Sequence, residues 1–207
     1  SRSLRMASGG CPPGLGLCIM TISVYLAVVS RYNVEKHDGS VKKMSEEFNI
    51  RHACMADIDA ITAVEAACFP AAEAATREEF EGRIQYYGDY FWLLYEGNQL
   101  ISFVDGFVTD EADLTDEMYE RAEMHDEHGA WQMIFGVNTL PEYRNRGYAG
   151  RLLLRAIEDA RQQGRKGLVL TCKDRLVHYY ASFGFVDEGI SDSTHGNVKW
   201  HQMRLRF

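Results

Sequence analysis

The sequence has no C-x-x-C pair, no surplus of basic charge, no phosphate loop ending in G-K-[ST], and neither repeats nor low-complexity stretches. Each lack excludes something. Five cysteines (Cys11, Cys18, Cys54, Cys68 and Cys172) without metal-ligand or disulfide spacing predict reduced thiols in a cytoplasmic protein, with no bound metal. A net charge of −8 argues against a nucleic-acid partner, which selects a basic face, and suits a cationic one. The apolar run Leu15–Val29 falls short of the ~18–20 residues of a membrane-spanning helix, so no membrane association is expected.

What is present fits one globular domain with an appendage. Of 207 residues, 46% are apolar and 25% charged, ordinary proportions for a soluble protein. Residues 1–43 do not resemble the rest. Arg2 and Arg5 precede the apolar run, as they would in a signal peptide, but Cys11-Pro12-Pro13-Gly14 is an unusual approach to one. The β-branched content of the run also suits a buried strand or an arm packed on a partner. Met44 reads as an ordinary start. We therefore expect an N-terminal extension over residues 1–43, outside a catalytic domain at 44–207.

From Met44 onward strands and helices alternate. Ile58, Ile61, Val64 and Cys68 recur at helical spacing, and Pro70 stops the run. Thr76 with Glu79 three residues on forms a capping box. Two strands flank a turn at Gly97-Asn98, a helix is expected around Asp116–Met124, and Gln132–Asn138 reads as one strand. A long helix, a buried strand, a short helix and a closing strand complete a mixed α/β domain.

The segment Arg144–Ala156, "RNRGYAGRLLLRA", places two arginines and two glycines at a helix start. A helix N-terminus offers unpaired N–H groups and the positive end of the dipole, which together bind phosphate. Gly147 and Gly150 permit close backbone approach, and Arg144 and Arg146 add charge. Taken alone, the glycines describe equally well a helix cap with solvated arginines. The spacing is not the dinucleotide G-x-G-x-x-G.

The pattern R-x-x-G-x-A (Arg144, Gly147, Ala149), followed about 30 residues later by Tyr180 and Phe183-Gly184-Phe185, resembles the acyl-coenzyme A motif and the Y-x-x-F-G-F signature of the GNAT superfamily of N-acetyltransferases. The resemblance covers roughly Phe48 to Phe207. It implies a GNAT fold: a central mixed, mostly antiparallel sheet flanked by helices, with strands splayed at the acyl-CoA site. Two further stretches, Asp110–Val137 and Cys172–Phe185, are similar to the arylalkylamine (serotonin-type) N-acetyltransferases. The vertebrate members carry two histidines tied to proton removal where this sequence has Trp131 and Met133.

The resemblance implies direct attack of an amine on the thioester of acetyl-CoA, without an acyl-enzyme. It assigns Phe135, Gly136 and Val137 to the strand that pairs with the pantetheine and supplies an oxyanion donor. Arg144, Asn145, Arg146, Gly147, Tyr148, Ala149 and Gly150 would hold the pyrophosphate. Tyr180 would protonate the departing thiolate, a role a phenol with pKa near 10 can fill. Cys172 lies on an apolar strand, which disfavours it as a nucleophile.

The general base is open among His125, His128, Glu127, Asp105, Asp110 and a chain of water. The charged residues from Asp105 to Glu127 are acidic except Arg121, a solvated face or a device that steers a cation. The expected acceptor is a small-molecule amine of arylalkylamine or polyamine type. A lysine or peptide amine, a non-catalytic acyl-CoA sensor of the same fold, and a homodimer stay open.

Overall fold

The computed structural model describes residues 48–193 and 198–207. The chain divides into two units, Ser1–Glu35 and Lys36–Phe207, and the described residues all belong to the second. The extension at 1–43 and the run Leu15–Val29 lie outside them.

Nine strands follow in chain order among the described residues: β1 (Phe48–His52), β2 (Phe91–Glu96), β3 (Gln99–Asp105), β4 (Val108–Thr109), β5 (Trp131–Ile134), β6 (Gly136–Thr139), β7 (Gly167–Cys172), β8 (Val186–Ile190) and β9 (His201–Arg206). They form an antiparallel sheet, β1-β2-β3-β6, and a second sheet, β4-β5-β7-β9-β8. In the second only β5 and β7 run parallel. The helices are α1 (Ile58–Cys68), α2 (Arg77–Tyr87), α3 (Glu117–Glu120), α4 (Tyr148–Gln162) and α5 (Val177–Ala181). This is the mixed α/β GNAT arrangement of sheets flanked by helices.

Local chemistry explains the elements. The expected capping box starts α2: Thr76 Oγ1 accepts from the Glu79 N–H, and the Thr76 N–H donates to the Glu79 carboxylate. Leu152, Leu153, Ala156, Ile157 and Ala160 make the buried stripe of α4. Neighbouring residues on a strand point to opposite faces. Phe91 accordingly meets Phe80 of α2, while Trp92 donates to Asp159 of α4 at 2.7 Å. So α2 covers one face of the first sheet and α4 the other.

Two expectations need correction. The strand read over Gln132–Asn138 is broken at Phe135, and its halves belong to different sheets. The helix expected over Asp116–Met124 is only α3 plus a 3-10 turn at Ala122–Met124. Among the described residues no helix is long and apolar enough to cross a membrane.

Candidate active site

The break at Phe135 shapes the candidate site. β5 pairs with β7 as far as Ile134 and Leu170. Beyond that level the chain turns to β3 as β6, while Thr171 and Cys172 of β7 stay paired with β9. A notch opens between β6 and β7. The ladder to the neighbouring hairpin arm is unbroken: Met133 N–H donates to Phe107 O at 2.8 Å and Phe135 N–H to Asp105 O at 2.8 Å.

Register decides which backbone groups face the notch. Leu140 N–H donates to Ile101 O at 2.9 Å. Along an antiparallel strand such bonding residues alternate, so Asn138 and Gly136 turn their amides to β3. Val137 and Thr139 turn theirs away, into the notch. Gly136 is required by close approach, because a Cβ there would lie 2.5 Å from Asp105 Oδ1. The Gly136 N–H bonds to that carboxylate, whose other partner is Arg83 of α2 at 3.3 Å. Burial pushes the Asp105 carboxyl up to about 6 against the pull of Arg83.

At the far end of β6 the chain enters the loop before α4. Asn145 and Gly147 hold φ of 62° and 81°, the left-handed region that Asn and Gly tolerate. Gly147 is the N-cap of α4, and the first intrahelical donor is Arg151 N–H, to Gly147 O at 3.0 Å. The amides of Tyr148, Ala149 and Gly150 therefore have no acceptor within the helix. Arg144, Asn145 and Arg146 are exposed. Arg144 Nε donates to Thr139 O at 3.1 Å, and Arg146 lies over the Tyr143 ring at 5.4 Å. Tyr148 packs its ring on Phe48 at 5.2 Å.

Tyr180 sits on α5, just beyond β7, with its ring edge-on to Phe185 at 6.2 Å. Burial, then the neighbouring Tyr179, Cys172 and Tyr119, hold its phenol well above the usual range, so it stays protonated. Burial pushes the Cys172 thiol up to about 12, helped by Asp187 and Asp174, which removes it as a nucleophile at neutral pH. Tyr119 was not anticipated, and no sequence signal marks it. Its hydroxyl lies 3.2 Å from Thr171 Oγ1 on β7, and its ring lies 4.9 Å from Phe135.

The sequence model of the acetyltransferase (GNAT) family matches residues 58–185. The chain belongs to that family. No curated protein matches it. Solved structures agree in fold. The loading GNATL domain of CurA from Lyngbya majuscula is 18% identical with a TM-score of 0.70, over 77% of this chain and 98% of that one. The GphF GNAT-like decarboxylase in complex with isobutyryl-CoA is 23% identical with a TM-score of 0.67, over 76% and 98%. YncA from Salmonella typhimurium, a putative acetyltransferase with its cofactor acetyl-CoA, is 17% identical with a TM-score of 0.56, over 77% and 93%.

In this acetyltransferase Asp105, Asp110 and His125 have other partners, while the Glu127 and His128 side chains are exposed. His125 accepts the Val108 N–H at 3.2 Å and stands among the rings of Tyr87, Tyr90 and Phe107. Burial pulls its pKa down. With Glu127 it lines an open cleft of about 330 Å³ at the end of α2. Asp110 accepts the Ala130 N–H, and the backbone N–H of His128, not its imidazole, donates to Asp126. Trp131 lies under Arg204 and Met133 is fully buried. Among the described residues no group of three His, Cys, Asp or Glu side chains is placed to hold a metal.

Much of the acidic stretch holds structure together. Asp113 pairs with Arg204 at 2.6 Å, Ser193 donates to Asp116, and Arg121 bonds Glu117 and Glu123. The first two contacts tie the segment between β4 and β5 to β9 and the chain before it; the Arg121 pairs are local to the segment. The segment Phe69–Thr76 spans the notch. Cys68 at its start donates to Thr139 O on β6, and Glu73 takes Lys173, just past β7, at 2.8 Å. Glu65, near the end of α1, was also not anticipated. It is 6% exposed, and its sequence neighbours give no hint of its partners.

Proposed function

We propose that this protein moves an acetyl group from acetyl-CoA directly to a primary amine of a small molecule, of arylalkylamine or polyamine type. The observation that carries the reading is the notch, with outward-facing Val137 amide on one wall and a buried Tyr180 beyond the other. The residues fit acetyl-CoA. Amides of Tyr148, Ala149 and Gly150, the left-handed cap at Gly147, and Arg144, Asn145 and Arg146 suit a pyrophosphate. Acetyl-CoA, when bound, supplies the activated acetyl group.

The chain's own residues do the rest. The backbone of Phe135, Gly136 and Val137 forms the wall along which a pantetheine arm pairs, and Val137 N–H is the donor aimed at the thioester oxygen. Tyr180 holds a proton for the departing sulfur. The finer arylalkylamine reading is supported by the stretches Asp110–Val137 and Cys172–Phe185; with Trp131 and Met133 at the histidine positions, it requires a different route for the amine proton.

The test is release of free CoA from acetyl-CoA across a panel of small primary amines and N-terminal peptides. Release with an arylalkylamine or polyamine is expected. Release with peptides alone would change the acceptor class. Acyl-CoA turnover that needs no amine would replace the reading with chemistry of the kind for which the GphF structure is named.

A further inference from the structure

We infer that Glu65 is a positioning residue that locks the segment over the notch to the acyl-bearing strand, and so governs binding of the acceptor. The inference rests on the acetyl-transfer reading for its kinetic consequence but not for its structural one. The two Glu65 oxygens are divided. Oε1 accepts the Ala75 N–H at 3.1 Å, and Oε2 accepts from Asn138 Nδ2 at 2.8 Å. Ala75 belongs to the segment that crosses from Thr139 to Lys173. Asn138 sits on β6 beside Val137, whose amide faces the notch. One carboxylate thus connects the roof of the notch to its wall.

The surroundings show why an ionisable group matters here. Asp105 from β3, Arg83 from α2, Asn138 from β6 and the Ala75 amide all face Glu65. Three buried polar atoms of this cluster, Arg83 Nε, Tyr87 Oη and Asn138 Oδ1, have no hydrogen-bond partner. Asn138 holds its Nδ2 toward Glu65 in this arrangement, and reversing its amide would present the oxygen instead. Burial first, then the Asp105 charge, raises Glu65 to about 7. The doubly accepting carboxylate is therefore the form above neutrality, and a singly accepting carboxylic acid is the form below it.

Two variants separate the geometry from the charge. Glu65→Ala removes both bonds. It is expected to raise the acceptor KM about tenfold or more, with the acetyl-CoA Kd within about twofold. Backbone amide exchange over Glu73–Thr76 should become faster at the same time. Glu65→Gln can keep the Ala75 bond but, like the protonated parent, cannot also accept from Asn138 Nδ2. Its acceptor KM should match the parent's near pH 6 and exceed it about threefold or more above pH 8. Across pH 6–8.5, the ratio of parent to variant kcat/KM, which cancels ionisation of the amine, should show a step near neutrality.

Unchanged exchange over Glu73–Thr76 in Glu65→Ala would overturn the inference. So would an equal loss of acetyl-CoA affinity, which marks a general structural role. Should Glu65→Ala fail to fold, a flat pH ratio in Glu65→Gln would overturn it. If no amine releases CoA, the acetyl-transfer reading falls, and the exchange measurement still decides whether Glu65 locks the segment.

Discussion

At the scale of single residues, two side-chain changes probe the notch. Tyr180→Phe keeps the ring and its contacts with Tyr179 and Phe185 but removes the hydroxyl proposed to protonate the thiolate. Steady-state kinetics with an accepted amine should show kcat falling about 10- to 10³-fold, while the acetyl-CoA Kd measured by calorimetry barely moves. A kcat within twofold of the parent, with chemistry rate-limiting, removes Tyr180 from the mechanism. Gly136→Ala is different in kind. The new methyl would stand 2.5 Å from Asp105 Oδ1, in a site that Arg83 closes from the other side. Strand or carboxylate must shift, at about 1–3 kcal/mol, read as a lower midpoint in denaturant titration. Turnover should fall further than stability, because the displaced residue adjoins the Val137 amide.

At the scale of elements, the cap of α4 is the most exposed to test. Gly147 combines a left-handed φ of 81° with the first amides of the helix. Gly147→Val puts a β-branched residue where its backbone is disfavoured, and should weaken acetyl-CoA binding tenfold or more, at least ~1.4 kcal/mol. An unchanged calorimetric Kd in a folded variant would refute the placement. This element was legible in the sequence because its information is local. Glycines, arginines and a periodic stripe lie within thirteen consecutive residues. The capping box at Thr76 and Glu79 was legible for the same reason. The break at Phe135 was not. Gln132–Asn138 reads as one mostly apolar run, and only the separate demands of β3 and β7 divide it. Glu65 and Tyr119 were missed because their partners lie far along the chain: Asn138, 73 residues from Glu65, and Thr171, 52 residues from Tyr119. The acidic stretch was legible in part: most of its carboxylates, from Asp110 to Glu127, are exposed as a solvated face would be, whereas Asp105 is buried against Arg83 and Asp113 reaches the internal Arg204.

At the scale of the whole molecule, buried carboxyl groups set an unusual pH response. Glu65 binds its proton more tightly in the folded state, at about 7 against an ordinary 4.5. Between those values the native state holds more protons than the unfolded chain, so this group's contribution to stability falls as pH rises, by up to roughly 3 kcal/mol. Asp57 acts in the reverse sense. Against the cost of burial, the Arg51 guanidinium, the Cys54 amide and the Tyr95 hydroxyl hold it far below the usual range, and its contribution is lost only in acid. Melting curves of the parent and Glu65→Gln should therefore diverge upward in pH, the variant gaining relative to the parent from pH 5 to pH 8. Parallel curves would show that Glu65 titrates normally. A final consequence comes from the strand that changes sheets at Phe135. One backbone and its hairpin partner thread both sheets, so neither sheet can peel away while the other keeps its hydrogen bonds. Despite two sheets, the domain should melt in a single step, with calorimetric and van't Hoff enthalpies in agreement: mechanically it is one woven fabric, and the crossing thread also forms one rim of the notch.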